Sequence, residues 1–598
     1  MPALNPLRGN VPQNRPNVIL IITDDQGYGD LACHGNPVAR TPHLDQLHQQ
    51  SVRLADFHVA PMCTPTRGQL LSGLDAARNG AVNVSSGRTL LRADIPTMAD
   101  IFTAGGYRTG LFGKWHLGDN YPYRPQDRGF DESLWFPSSH ITSLPDYWEN
   151  DYFDDVYCHN GIRQRQEGYC TEVFFRRATD WMQQQIEADQ PFFTLLPTNA
   201  PHYPLWVPPE DRQAIEAAFD QDGDQLPDLP DDLRPQIIRF LAMIRNIDTQ
   251  VGQLRHFLQQ QDVDRDTILI FMTDNGSTFG PVYYNAGMRG KKCELWEGGH
   301  RVPFFLHWPN GDLGLPREIG GLTQVQDILP TLMDFCGLRP PDSLELDGIN
   351  LAPALRGQAP VPQDRKLTIN YSRMPGGLDY PTPASPARMR REGACVLWKR
   401  WRLLEGTALY NLDSDPQQQR DIAAEHPDIV EQMRQHLDHW WQKVEPVANQ
   451  VQYITIGSDA ENPMTLSACE WMDVFVDQQR QVRVAERKNS YWHLHVECPG
   501  RYTFALRRWP AESGLKLQQD CPPTQLTDGA FDAGVALPIT RARLLVDNQI
   551  HIKEIGPQDE AALFSLDLPS GPTLLHTWFD DEAKQPICGA YYVGVERE

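Results

Sequence analysis

Five short apolar runs stand out in the first 310 residues: NVILIITD (17–24), RTGLFG (108–113), PFFTLLP (191–197), DTILIFMTD (266–274) and VPFFLHWP (302–309). Each is nearly continuous and bounded by turn residues, the pattern of parallel strands buried on both faces. Between them, TPHLDQLHQQSVRLA (41–55) and the segment 233–261 place apolar residues at a 3.6-residue period. Thr41-Pro42 supplies a hydroxyl followed by a first-turn proline, a helix start. The alternation predicts an α/β sheet covered by helices on both faces. The acidic, proline-containing stretch 205–233 reads as a solvated surface loop. Beyond about residue 450 the period changes to two, in YWHLHVE (491–497), RYTFAL (501–506) and RARLLVD (541–547), with turns at CPG (498–500) and DNQ (547–549). That tail predicts a separate antiparallel β-sandwich.

The 598 residues, 40% hydrophobic, suffice for one large core and a second domain. A net charge of -24 with no Lys/Arg run interleaved with aromatics argues against nucleic acid as a partner. The polar N-terminal stretch lacks a signal-type apolar region and no 18-residue apolar run occurs, so the expectation is no membrane partner and a cytoplasmic protein, periplasmic or secreted only if a signal has been removed. Eleven cysteines without any CxxC pair fit neither a disulfide framework nor a structural zinc site.

The chemistry gathers at strand ends. Ligands of open parallel sheets bind beyond the carboxyl ends of the strands, and two runs end alike, in Asp24-Asp25 and Asp274-Asn275. If these strands are neighbours, four oxygen donors converge, a set suited to a hard cation such as Ca²⁺ or Mg²⁺. Read singly, each is equally a turn leaving a strand. In APMCTPTRGQLLSG (60–73), Thr64-Pro65 can open a helix with Cys63 at its N-terminus, where the backbone favours an anion, and Arg67 one turn on. A thiol so placed is expected to be acidic and reactive; the plain alternative is a buried cysteine beside an arginine paired elsewhere. Lys114 and His116 follow the second run, His202 follows the third, and Lys291 and Lys292 precede a glycine turn into the fifth.

CTPTR (63–67) followed by GKWHLG (113–118), together with the N-terminal strand and its DDQGYGD, TPHLDQL, RGFD (128–131), NAPHYP, TDNG and RGKKCELWEGGHRVP, resembles the formylglycine-dependent sulfatases of the alkaline phosphatase superfamily. The resemblance runs from about residue 15 to about 440. It implies an alkaline-phosphatase-like, mostly parallel sheet flanked by helices (1–340), a small C-terminal α+β subdomain (341–450), and an appended sandwich (451–598) outside the common plan. It also implies a maturation enzyme that converts Cys63 to Cα-formylglycine, whose hydrate is the nucleophile on a small sulfated substrate. Asp24, Asp25, Asp274, Asn275 and residue 63 would hold Ca²⁺. Arg67, Lys114 and Lys292 would stabilise the sulfate oxygens, His202 would protonate the leaving group, and His116 would take the proton that expels sulfate. Lys292 is preferred to Lys291 by its spacing to EGG. His34 and His300, where relatives often carry aromatic or aliphatic residues, are expected at the surface or behind the site rather than on substrate. Three other readings are a phosphonate or phosphate ester hydrolase on the same scaffold, a non-catalytic carbohydrate-binding protein, and a hydrolase using the unmodified thiol.

Overall fold

The structure, a computed structural model, describes residues 15–341, 344–371 and 386–598. Its centre is a ten-stranded sheet. The strands are β1 (Asn17–Thr23), β2 (Val52–His58), β3 (Arg108–Lys114), β4 (Glu132–Phe136), β5 (Val156–His159), β6 (Ile162–Arg165), β7 (Phe192–Pro197), β8 (Thr267–Thr273), β9 (Phe304–His307) and β10 (Arg317–Gln324). They lie in the order β10-β2-β9-β8-β1-β7-β3-β4-β5-β6. β1 is central, parallel to both β7 and β8. Its side chains alternate between two cores: Ile19 and Ile21 face one cluster and Val18, Leu20 and Ile22 the other. A strand covered on both faces needs apolar residues at every position, which is why its sequence shows no alternation. The first layer is built by helices Pro42–Gln50, Cys170–Glu187 and Arg234–Gln260, and the second by Cys63–Ser72, Met98–Ala104 and Ile328–Cys336.

Two expectations are corrected. The fifth apolar run, β9, is antiparallel to both β2 and β8. The connection from β8 to β9 contains only the single-turn helices Gly280–Tyr283 and Glu297–His300. Without a crossover that returns the chain to the other end of the sheet, the next strand must run back. Within 205–233, Pro209–Asp222 is a helix rather than a loop. Ile215, Ala218 and Phe219 share its buried face, Ile215 and Phe219 join the core that holds Ile237 and Leu241, and Glu210 and Asp211 sit in its first turn, where the dipole favours acids.

Beyond the large sheet, four antiparallel strands (Lys366–Asn370, Ala394–Trp398, Trp401–Leu404, Ala408–Asn411) pack Val396, Leu403 and Leu409 against Val430, Met433 and Leu437 of helix Pro427–Val444. The C-terminal region forms two larger sheets, in which Tyr491–Val496, Gly500–Arg507 and Arg541–Val546 take the strand positions that alternation predicts, and a small two-stranded one, Thr524–Leu526 with Gly529–Phe531. One short strand, Ile454–Ile456, pairs parallel to its neighbour, and the other strand pairs of these sheets are antiparallel. The sandwich core also takes in Leu90, Tyr123, Leu144 and Trp148 from the first third of the chain. No helix among the described residues is long and apolar enough to cross a membrane.

Candidate active site

Because β1 and β8 are in register to their last residues, Thr23 opposite Thr273, the chain leaves both strands at one point and brings Asp24-Asp25 beside Asp274-Asn275. The backbone N–H of Asp25 donates to Asp274 Oδ1 at 3.1 Å. Asp25 itself has φ of 67°, the left-handed region that costs a non-glycine residue about 1–3 kcal/mol and persists only where the surroundings impose it. Close approach of three loops requires glycine twice. A Cβ on Gly27 would lie 2.5 Å from the backbone N of Ser277, and one on Gly276 would lie 1.8 Å from the carbonyl oxygen of Gly298.

Each acid meets one cation. Lys114, at the end of β3, places Nζ 2.6 Å from Asp24 Oδ2, and both side chains are fully buried. Arg67 donates to Asp274 Oδ2 from Nε at 3.1 Å and Nη2 at 2.8 Å, and from Nη1 to the carbonyl oxygen of Lys114 at 3.3 Å. Lys292 Nζ lies 2.6 Å from Asp25 Oδ1. Burial alone would raise the Asp25 carboxyl, but Lys292 overrides it and holds the group well below the usual carboxylate range. At Asp274 burial wins, supported by the like charge of Asp24 against Arg67, and the group is pushed up to about 6. The ammonium of Lys292, not that of Lys291, is the one on Asp25.

Cys63 is the first residue of helix Cys63–Ser72 and is almost completely buried. Its expected acidity is corrected: burial pushes the thiol up to about 11, against the pull of Lys114 and Lys292. The two histidines are neutral for the same reason. His116 is driven far down by burial and then by Lys114, and His202 to about 3 by burial and then by Lys292. His116 Nε2 lies 2.9 Å from the carbonyl oxygen of Val84, so Nε2 carries the proton, and Nδ1 is left with a lone pair and no hydrogen-bond partner among the described residues. His202 Nδ1–H donates to the Tyr203 carbonyl at 2.7 Å, leaving Nε2, 3.7 Å from Asp25 Oδ2, as the end that can gain or lose a proton.

The donor set fits a hard cation. Asp24 Oδ1 and Asn275 Oδ1 are buried oxygens without a hydrogen-bond partner among the described residues, and the ligand atoms of Asp24, Asp25 and Cys63 lie within 4.8 Å of one another. Oxygens in that state are costly unless something positive takes their lone pairs.

His34 and His300 lie elsewhere. His34 is stacked on Tyr28 at 3.7 Å, and buried His300 meets His58 through their Nδ1 atoms at 2.9 Å, behind the Lys292 loop. Sequence reasoning missed Thr278, which donates to Asp25 Oδ2 at 3.1 Å, and His140, stacked on His202 at 5.1 Å. His140 follows β4 in WFPSSH, the same position after a strand that marks His116 and His202, but β4 is too short and too mixed to be read as a strand.

Comparison with known proteins agrees with this arrangement. The family profile described as Sulfatase matches residues 16–338. An N-acetylgalactosamine-6-sulfatase from Mus musculus is 29% identical over 382 residues, covering 60% of this chain and 69% of that protein. An arylsulfatase from Klebsiella aerogenes is 29% identical over 418 residues, covering 56% of this chain and 89% of that protein. Among solved structures, Ps i-CgsB in complex with k-i-k-neocarrahexaose superposes with a TM-score of 0.61 at 24% identity, over 71% of this chain and 92% of that one. The profile spans more than half of the sequence, and on it this protein belongs to the sulfatases, sulfuric ester hydrolases of the alkaline phosphatase superfamily.

Proposed function

We propose that the protein hydrolyses sulfate esters of sugars through a formylglycine hydrate formed at residue 63, with Ca²⁺ bound by Asp24, Asp25, Asp274 and Asn275. The observation that carries the reading is the convergence on one point of two buried oxygens without a partner among the described residues, three cations and the N-terminal residue of a helix. The sugar rather than the aryl ester is favoured by the relatives named for a sulfated hexosamine and by the neighbour crystallised with a carrahexaose.

When bound, Ca²⁺ supplies polarisation of the sulfate and a lower pKa for the attacking hydroxyl. Arg67, Lys114 and Lys292 bring three positive charges to the sulfate oxygens from positions fixed before substrate arrives, a preorganisation worth several kcal/mol in a dry site. His202 Nε2 gives a proton to the leaving alkoxide. The negative ester beside Lys292 offsets the ammonium field that, after burial, keeps His202 neutral, so substrate binding itself favours loading that proton. His116 accepts a proton at Nδ1 from the hydroxyl of residue 63 that remains, which frees sulfate. A thiol pushed up to about 11 is a poor nucleophile at neutral pH, which favours Cys63 as a precursor over the thiol-hydrolase reading.

The test is mass spectrometry of the tryptic peptide 54–67 from protein made in its own host, together with turnover of 4-nitrophenyl sulfate, a 6-sulfated hexosamine and phenyl phosphonate. A peptide lighter by the difference between thiol and aldehyde, trapped by a hydrazine, with the sugar sulfate turned over, is the expected result. An alkylatable Cys63 in active enzyme would reject the formylglycine mechanism. Preference for phenyl phosphonate would move the protein to the other ester class served by this scaffold.

A further inference from the structure

The segment 468–478, which links two strands of the sandwich, turns toward the active site. The Ser86 N–H donates to the Cys469 carbonyl at 2.8 Å and the Asp473 N–H to the Ser86 carbonyl at 3.2 Å, while Arg88 bridges Asp473 at 3.0 Å. These contacts fix the loop whose Val84 carbonyl holds His116. Phe475 lies in one apolar cluster with Met62, Cys63 and Val84. Two residues on, Asp477 is buried at 5% exposure.

Asp477 Oδ2 accepts from Ser139 Oγ at 2.7 Å, and its Oδ1 from Ser138 Oγ and Cys469 Sγ, both at 3.2 Å. A serine hydroxyl has a single proton. With that proton given to the carboxylate, Ser139 Oγ can only accept from His140, so the 2.7 Å contact assigns the proton to His140 Nδ1. Burial, and then the neighbouring His202, hold His140 neutral by pushing it down to about 3. The plane of His140 is thus set by a carboxylate two residues away in a chain of hydrogen bonds, and that ring lies on the face of His202 at 5.1 Å with 24° between planes. The edge of His202 is held separately, by the Tyr203 carbonyl, and its backbone carbonyl accepts from Tyr152 Oη at 3.1 Å.

We propose that Asp477, carried by the C-terminal sandwich, is a positioning residue for leaving-group protonation: through Ser139 and His140 it orients the His202 ring so that Nε2 meets the ester oxygen. In that step a deprotonated oxygen of the residue-63 hydrate bonds to sulfur, the S–O bond to the alcohol breaks, its electron pair goes to the ester oxygen, and that oxygen takes the Nε2 proton. The inference rests on the assignment of His202 as the acid.

The test uses the full chain with Ser139→Ala, Asp477→Asn and His202→Asn, assayed on 4-nitrophenyl sulfate, whose leaving group needs no proton, and on an unactivated alkyl or sugar sulfate, whose leaving group does. In Ser139→Ala and Asp477→Asn, kcat on the alkyl ester falls roughly tenfold more than on the aryl ester, a fraction of the full worth of general acid catalysis, with KM little changed. Combining either with His202→Asn adds no further selective loss, because both act through one group. Equal losses on the two substrates, or none, overturn the positioning role and leave a merely structural one. If His202→Asn shows no leaving-group selectivity, the acid assignment fails and this inference with it, whereas 4-nitrophenyl sulfate turnover by the unmutated chain keeps the sulfatase reading standing. Should Asp477→Asn fail to fold, Ser139→Ala, which removes only the link, decides.

Discussion

At Cys63 a helix N-terminus and two ammonium groups act to lower the thiol pKa, and burial still outweighs them. The same contest has the opposite outcome at Asp25, where Lys292 is in contact and the charge is kept. Contact with an ammonium offsets desolvation at Asp25, whereas at Asp274 the like charge of Asp24 adds to burial and together they outweigh the contact with Arg67. Truncating one partner of such a buried pair strands the other charge. Lys292→Ala is therefore expected to lower kcat/KM on 4-nitrophenyl sulfate by about 10²-fold or more, the scale of one lost preorganised charge. Lys291→Ala, which leaves that pair intact, stays within about twofold, as a substitution away from such features does. Steady-state kinetics of the two variants check this, and comparable losses would reject the choice of Lys292. Arg67→Lys loses the two-pronged hold on Asp274 Oδ2, which a point charge cannot reproduce, and is expected to behave like a severe variant rather than a conservative one.

Elements bring these residues together only because loops touch. Gly27→Ala sets a methyl group 2.5 Å from the Ser277 backbone, where no flexible side chain can yield. The expected result is destabilisation of about 1–3 kcal/mol, the usual cost of overpacking, with loss of activity beyond it because Asp25 shifts against Asn275. A urea melt with unchanged slope and a lower midpoint checks the first part, and a wild-type melt would show that the loops are free to part. What was legible in the sequence follows the same division. β1, β3, β7 and β8 are apolar at nearly every position because both faces are covered, so their ends, and with them Asp24, Lys114, His202 and Asp274, could be located from pattern alone. The direction of β9 could not, since an apolar run carries no sign of which way it is traversed. Helix Pro209–Asp222 was hidden because three buried apolar residues among many acids give a weak period. His140 and Asp477 were out of reach because their meeting depends on how the sandwich seats against the β4 loop, which no local period encodes.

For the whole molecule, that seating is acidic and buried. Glu470 has no ion-pair partner among the described residues. Burial, opposed by a hydrogen bond from Thr89, pushes it up to about 8 from the ordinary 4.5. A raised folded-state value means that the native protein holds the proton more tightly than the unfolded chain. Its contribution to stability is present in full below about pH 4.5 and is lost as pH rises through about 8. The melting temperature is therefore expected to fall between pH 6 and 9, as measured by scanning calorimetry, and Glu470→Gln should flatten that part of the fall. A variant with the same slope as the parent would remove Glu470 from the account. Deleting 451–598 should do more than trim an accessory part, because Leu90, Tyr123, Leu144 and Trp148 would lose the core that covers them.

Strand Tyr592–Arg597, almost the last residues of the chain, pairs with Met464–Ser467 and so closes the sheet from which the wall of the active site is hung. On a ribosome adding about 5–20 residues each second, residue 63 emerges roughly half a minute to two minutes before that strand does. During this interval Phe475, which shares an apolar cluster with Cys63, is not yet held by its completed sheet, so Cys63 is expected to be reachable on the growing chain and covered in the finished fold, where it is buried. Under the proposed conversion of Cys63, the order in which the chain is written would set a deadline for that chemistry.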